Sequence, residues 1–203
     1  MESVNPGKVP GETPLDDLSG LRLKYVKTQE QLNRAEFDNI NRVLPKYFLG
    51  KPSDRKAPFT YAWLLRTHEE MFGDVWAWAG TPRETEMNIG VKPALIPSEL
   101  NRLLFDFHAW EKAGDPAIQT AARFHHRLVW IHPFNGGNGR WARIAANIYL
   151  KKKQEGLILW PEDEIGAGKL RLEYIEALKS ADSGDEAPLL GLHKRYQEQR
   201  NEK

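Results

Sequence analysis

A chain of 203 residues, 40% of them hydrophobic, suffices for one globular domain with its own core and requires no second. A formal net charge of +1, with acids and bases mixed along the chain, gives no electrostatic footing for direct nucleic-acid binding or for an anionic membrane surface. The absence of cysteine excludes disulfides, a thiolate nucleophile and cysteine-ligated zinc, and fits a reducing cytoplasm.

The first residues lack the basic and apolar regions of a secretory leader, and no apolar run approaches membrane-spanning length, so the expectation is a cytoplasmic protein. Residues 1–27, rich in proline, glycine and acids, read as an irregular arm in which LRLKYV is extended, and residues 28–203 as a single helical domain. Thr28 and Gln31 form a capping-box pattern ahead of Leu32, Phe37, Ile40 and Leu44 at helical spacing, with Pro45 as the limit. After a polar loop at residues 51–58, residues 59–73 read as an amphipathic helix stopped by Gly73. Within residues 74–93 the weak alternation of ETEMNIGV predicts a small hairpin or extended flap, not a core strand.

Ser98 is expected to cap a helix with the apolar stripe Leu100, Leu103, Leu104, Phe107 and Trp110, ending near Gly114. Asp115 and Pro116 then read as an N-cap and first helical residue, followed by Ile118, Ala121, Ala122, His125 and Leu128 on one face. His125 reads as a core histidine and His126 as a residue orienting the next loop. Zinc is not expected: adjacent histidines diverge by about 100° on a helix, and no HExxH accompanies them. Beyond the loop, Trp141, Ile144, Ala145 and Ile148 mark a helix ending at Lys151, Lys152 and Lys153 with Gly156 following. LILWPEDE is a short crossing segment, and residues 171–196 read as two helices joined at ADSGDE.

The string between the fourth and fifth helices, HPFNGGNGRWAR at residues 132–143, carries the chemistry. Pro133 ends one helix, the glycines free the backbone, and a helix N-terminus follows, where unpaired N–H groups hold phosphate. Arg140 and Arg143 stand three apart in the first turn, where cations oppose the helix dipole, so an anion between them is expected. His132 lies close enough to act as a base beside that anion. Phe134 reads as the anchor of the loop in the core.

His132, Pro133, Phe134, Gly137, Asn138, Gly139, Arg140 and Arg143 resemble the signature HPFx(D/E)GNGRxxR of the Fic/Doc family. The resemblance implies an all-α Fic fold, a helical bundle with a small β-hairpin flap. It implies a protein adenylyltransferase that moves AMP from ATP to a Ser, Thr or Tyr hydroxyl of a target protein. His132, Asn138 and Arg140 would be catalytic; Gly137, Asn138, Gly139, Arg140 and Arg143 would bind the nucleotide. Glu86, Met87, Asn88, Ile89, Gly90 and Val91 would form the flap that pairs with the target backbone. Gly136 stands where the family has the carboxylate that holds Mg2+ on the phosphates, so the ion's usual protein ligand is absent and no metal ligand is assigned. Transfer of another phosphate-containing group, or nucleotide binding by a catalytically weak or dead regulatory module, stay open for that reason.

Many members of the family silence themselves with a helix carrying [S/T]xxxE[G/N], whose glutamate pairs with a motif arginine. TQEQLN, residues 28–33, has Leu32 at the glutamate position, so no inhibitory motif in cis is expected. TPLDDLSGL followed by QLNRAEFDNI is similar to the subgroup called mobile mystery protein B, which implies a helix-turn-helix, antitoxin-like companion.

Overall fold

The computed structural model describes residues 18–198 apart from residue 168. Most of the expected N-terminal arm, residues 1–17, and residues 199–203 lie outside the described residues. Eight α-helices appear among the described residues: α1 (Gln29–Phe48), α2 (Tyr61–Phe72), α3 (Ile96–Ala113), α4 (Ala117–Ile131), α5 (Asn138–Lys153), α6 (Glu162–Ala167), α7 (Lys169–Asp182) and α8 (Ala187–Tyr196). The fold is all-α. Within the described residues β pairing is limited to isolated bridges, Leu21 with Trp76 and Ile158 with Gln197. The first is what becomes of the extended LRLKYV segment.

Local chemistry sets most helix ends. Thr28 closes the capping box that starts α1, its Oγ1 accepting from the N–H of Gln31 at 3.2 Å while the Gln31 side chain accepts from the N–H of Thr28. Helix α1 runs through Pro45 to Phe48, beyond the expected stop. Proline there falls in the last turn, where only one intrahelical bond is lost, and its carbonyl still accepts from the N–H of Leu49 at 3.1 Å. Ser98 does not cap α3. The helix begins at Ile96 after a 3-10 turn over Pro93–Leu95, and the Ser98 hydroxyl donates back to the carbonyl of Leu95. The cap of α4 is Pro116, one residue later than expected, because the Asp115 carboxylate is taken by Arg123 at 2.8 Å. Helix α5 ends on Gln154 in the left-handed region, before Gly156 is reached.

Helix α4 is the centre, packing against α3, α5, α7 and α8, while α1 and α2 lean on α5 from the other side. The main core joins these helices through rings: Phe59 lies 4.5 Å from Trp63, 5.1 Å from Phe107, 5.8 Å from Phe124 and 5.9 Å from Tyr149, centroid to centroid. A smaller cluster, with Ile165, Leu170, Tyr174, Leu189 and Leu192, seats α6, α7 and α8.

Three histidines are wholly buried: His68, His125 and His193. Burial disfavours the charged ring, pushing His68 to about 3 and His193 to about 4 from the ordinary 6.5, and His125 well below it. Their folded pKa values lie below the unfolded one, so the unfolded chain binds more protons between about pH 4 and 6.5. Stability therefore rises with pH through that window and is lost as pH falls. Melting temperatures recorded from pH 7 to 4.5 should drop. The stability slope should steepen below pH 6.5 toward about 1.4 kcal/mol per pH unit for each histidine. A flat profile would contradict the neutral, buried assignment.

Candidate functional site

The loop between α4 and α5 is six residues long, and its backbone is satisfied largely by side chains. His132 is the C-cap of α4 in the left-handed region, φ 52° and ψ 59°. Its N–H closes the helix on Leu128 at 3.2 Å. Phe134 is fully buried, its ring 3.6 Å from that of His68 in a stack and 5.0 Å from Trp141 edge-on. It anchors the loop, as its place in the string predicts. Asn138 lies buried and exchanges two hydrogen bonds with Phe134: its Nδ2 donates to the carbonyl at 2.8 Å, and its Oδ1 accepts from the N–H at 3.0 Å. The Asn138 side chain is thus committed to closing the loop.

Gly137 caps the start of α5 at φ 74°, and a Cβ there would lie 2.5 Å from the Phe72 ring, so both backbone and packing demand glycine. The first N–H of α5 to find a helical acceptor is that of Trp141, on Gly137 at 3.0 Å. The N–H groups of Asn138, Gly139 and Arg140 have no intrahelical acceptor.

Two residues that the sequence reading passed over hold this loop. His68, on α2, accepts at Nδ1 from the N–H of Gly80 at 3.0 Å. A neutral ring then carries its proton on Nε2, which donates to the carbonyl of Gly136, also at 3.0 Å. Arg83 is buried, and its Nε donates to the carbonyl of His132 at 2.7 Å, its Nη1 to Thr85 at 2.7 Å and its Nη2 to Val91. The backbone adds Arg83 N–H to Pro133 at 2.8 Å and Val91 N–H to Ile131 at 3.3 Å. One guanidinium thereby ties the ends of the predicted flap to the carbonyl of His132. The hint in the sequence was only a lone arginine before a polar stretch.

The flap itself differs from expectation. Glu86 and Met87 are irregular and Asn88, Ile89, Gly90 and Val91 form bends, with no strand ladder, because the arginine fork consumes the Thr85 and Val91 carbonyls that a hairpin would pair. The segment crosses His132 closely: a Cβ on Gly90, at φ 92°, would stand 2.5 Å from Cβ of His132. Met87 and Ile89 are exposed.

His132 Nδ1 donates to the carbonyl of Val129 at 3.3 Å, a long contact that leaves Nε2 as the bare nitrogen. Burial lowers its pKa to about 4, and the positive Arg83 acts in the same direction. The ring is therefore neutral at physiological pH, with a bare nitrogen able to accept a proton, six residues ahead of the start of α5.

Arg140 and Arg143 do not converge on one anion. Arg140 reaches back to Glu36 of α1, Nη2 to Oε2 at 2.6 Å, with its guanidinium 5.1 Å from the Phe72 ring centre. Glu36 is buried and also accepts from Trp76 Nε1 at 2.7 Å. The expectation of no inhibitory glutamate meets this contact one turn beyond Leu32: the carboxylate is supplied by NRAEF, outside the pattern. Arg143, turned the other way, forms a two-pronged pair with Glu162 of α6, Nε to Oε1 at 2.9 Å and Nη2 to Oε2. His126 does not orient the loop; its Nε2 meets Asp182 of α7 at 2.8 Å.

Among the described residues no group of three or more His, Asp or Glu converges as a metal site. Gly136 offers only a carbonyl, already engaged by His68. The residues present do not fit a protein-held Mg2+.

The Fic/DOC family profile matches residues 58–150. A protein adenylyltransferase Fic of Nematostella vectensis is 32% identical over 117 residues, 55% of this chain and 26% of that protein. Protein adenylyltransferase fic-1 of Caenorhabditis briggsae is 30% identical over 133 residues, 63% of this chain and 25% of that protein. The counterpart in Drosophila grimshawi is 28% identical over 174 residues, 81% and 35% of the two chains. The chain thus spans roughly a quarter to a third of the length of these relatives. Two solved structures share the fold. Fic-1 from C. elegans superposes with a TM-score of 0.65 at 23% identity, over 88% of this chain and 52% of that one. The BepC protein from Bartonella tribocorum with bound AMPPNP superposes with a TM-score of 0.68 at 18% identity, over 91% and 99%. The loop, α4, all but the end of α5 and the Arg83 fork lie in the matched span, and residues 58–150 are thus similar to the Fic/DOC family.

Proposed function

We propose that the chain transfers AMP from ATP to a Ser, Thr or Tyr hydroxyl of a target protein. The observation that carries the reading is the neutral His132, with Nδ1 engaged and Nε2 bare, six residues ahead of the unpaired N–H groups that open α5. In the proposed step the target oxygen forms a bond to the α-phosphorus of ATP while the bond to the bridging oxygen breaks. Pyrophosphate leaves, and the hydroxyl proton passes to Nε2 of His132. The free N–H groups of Gly139 and Arg140 would hold the phosphates, with Gly137 giving the backbone its approach. The ring is a weak base as it stands. Negative phosphates placed beside it favour the imidazolium and bring its pKa back toward neutrality. No step is assigned to a metal. The exposed flap side chains Met87 and Ile89 would meet the target.

A second reading, a nucleotide-binding regulatory module, is favoured by a specific observation: the chain's own carboxylates close both arginines, and nucleotide must displace them. ATP carrying label on the α-phosphate discriminates the readings. Label should appear on protein with the intact chain and fall at least a hundredfold in His132→Ala. Transfer that survives His132→Ala would remove the adenylyltransfer mechanism. ATP binding without transfer would leave the module, and transfer of label from the γ-phosphate would point to a different donor group.

Glu36→Gln removes the competing charge on Arg140 while keeping an acceptor for Trp76. Calorimetry should show ATP binding about tenfold tighter, in line with ~1.5–3 kcal/mol for a charge-assisted bond. Unchanged affinity would mean that Arg140 does not meet the phosphates.

We also place the chain in the cytoplasm with a helix-turn-helix companion. The support is the absence of cysteine and the wording of residues 13–21 and 31–40. Among the described residues no helix is long and apolar enough to cross a membrane. Purification of the tagged chain from its native cells should bring down a small helix-turn-helix protein. Its absence from the bound fraction would end this part of the reading.

A further inference from the structure

Against Arg143 lies a chain of buried polar groups that the proposed chemistry does not use. His193 Nδ1 is 2.9 Å from the carbonyl of Leu189, one turn earlier on α8. A carbonyl only accepts, so Nδ1 bears the proton, and in a neutral ring Nε2 is bare. That nitrogen lies 3.2 Å from Nδ1 of His125, which must then donate, leaving Nε2 of His125 bare in turn. The Tyr174 hydroxyl is 2.8 Å from it and supplies the proton. Every member of the chain has one possible direction of donation, running from Tyr174 through His125 and His193 to the backbone of α8. Burial keeps both imidazoles neutral, so the order is not disturbed by protonation at physiological pH.

The hydroxyl proton of Tyr174 is thus fixed on His125, away from Arg143. The ring and the lone pairs of the oxygen are left toward the guanidinium, whose Cζ sits 5.6 Å from the ring centre. Trp160 walls the cluster, 5.8 Å from the His125 ring and 5.0 Å from His193 edge-on. Tyr174, His125 and His193 are all buried, whereas Glu162, the other partner of Arg143, has a side chain 52% exposed. One partner of Arg143 is permanent and the other is exchangeable.

We propose that Tyr174, His125 and His193 are positioning residues that hold Arg143 in place, so that its fork can exchange Glu162 for the phosphates of a nucleotide without losing orientation. This rests on the reading of the loop as an ATP site, but the chain of contacts is testable without nucleotide. Nitrogen-15 NMR of the protein alone should show His125 with a proton on Nδ1 and a bare Nε2, and the Arg143 Nε–H as a slowly exchanging resonance. Tyr174→Phe removes one oxygen and keeps the ring. In that variant the His125 nitrogen shifts should move and the Arg143 Nε–H should exchange faster. His193→Leu, which takes away the acceptor for His125, should act in the same way, while His193→Gln, whose amide oxygen replaces it, should restore the wild-type signals.

With ATP as probe, Tyr174→Phe should raise the Kd about tenfold, and the penalty should vanish in an Arg143→Lys background, as coupled residues require. An Arg143 signal unmoved by Tyr174→Phe overturns the proposal, as does an equal penalty in the Arg143→Lys background. If the wild type binds no ATP while the Arg143 signal moves as described, the nucleotide reading falls and the positioning role stands. Should His193→Leu fail to fold, Tyr174→Phe and His193→Gln carry the test unaided.

Discussion

The structure depends on satisfying the backbone of a short turn without covering the helix that follows it. Six residues separate α4 from α5, and a buried turn of that length leaves peptide groups that water cannot reach. Three side chains supply the partners: Asn138 clips Phe134, His68 takes the Gly136 carbonyl, and Arg83 takes that of His132, while the Val129 backbone carbonyl accepts from the His132 imidazole. Because these bonds are spent on carbonyls and on Phe134, the N–H groups at the start of α5 stay unpaired. The proposed phosphate cradle is therefore a remainder: it is what the loop leaves over once its other polar groups are paired.

The same arrangement sets the electrostatics. Burial and the adjacent Arg83 remove the charge from His132, so the proposed base is neutral while cations stand around it. The two motif arginines are then balanced by carboxylates of opposite accessibility. Glu36 is 4% exposed and braced by Trp76, whereas Glu162 is 52% exposed and paired with Arg143 from a six-residue helix. On the proposed function, an incoming phosphate would compete with a braced carboxylate at Arg140 and a more exposed one at Arg143. A buried charge left without its partner is costly, so displacement of Glu36 would carry the greater penalty. The asymmetry gives the two arginines different tasks even though they stand one turn apart.

Helices were largely legible because their signals are local. The Thr28 capping box, the apolar stripe of α3 and the left-handed Gly114 follow from spacing within a few residues. Errors fell where a distant group competed for a local one. Asp115 is drawn to Arg123 and leaves the cap to Pro116, and His126 turns from the loop to Asp182. The flap failed as a hairpin for the same reason, its carbonyls being claimed by Arg83.

What the sequence determined by itself was the order of helices, the glycine demanded at residue 137, a histidine one residue before Pro133, and a resemblance to the Fic/DOC signature through residues 132–143. All are properties of the local chain, carried by backbone preference and short spacings. Only the tertiary structure decided which carboxylates face Arg140 and Arg143, that Asn138 serves the loop through its side chain, and that His68, Arg83, Tyr174 and His193 matter to the site at all. These partners are separated by up to 104 residues, as Glu36 and Arg140 are. Contacts across such distances leave no periodicity in a single chain, because they are fixed by which helix faces meet when the core closes.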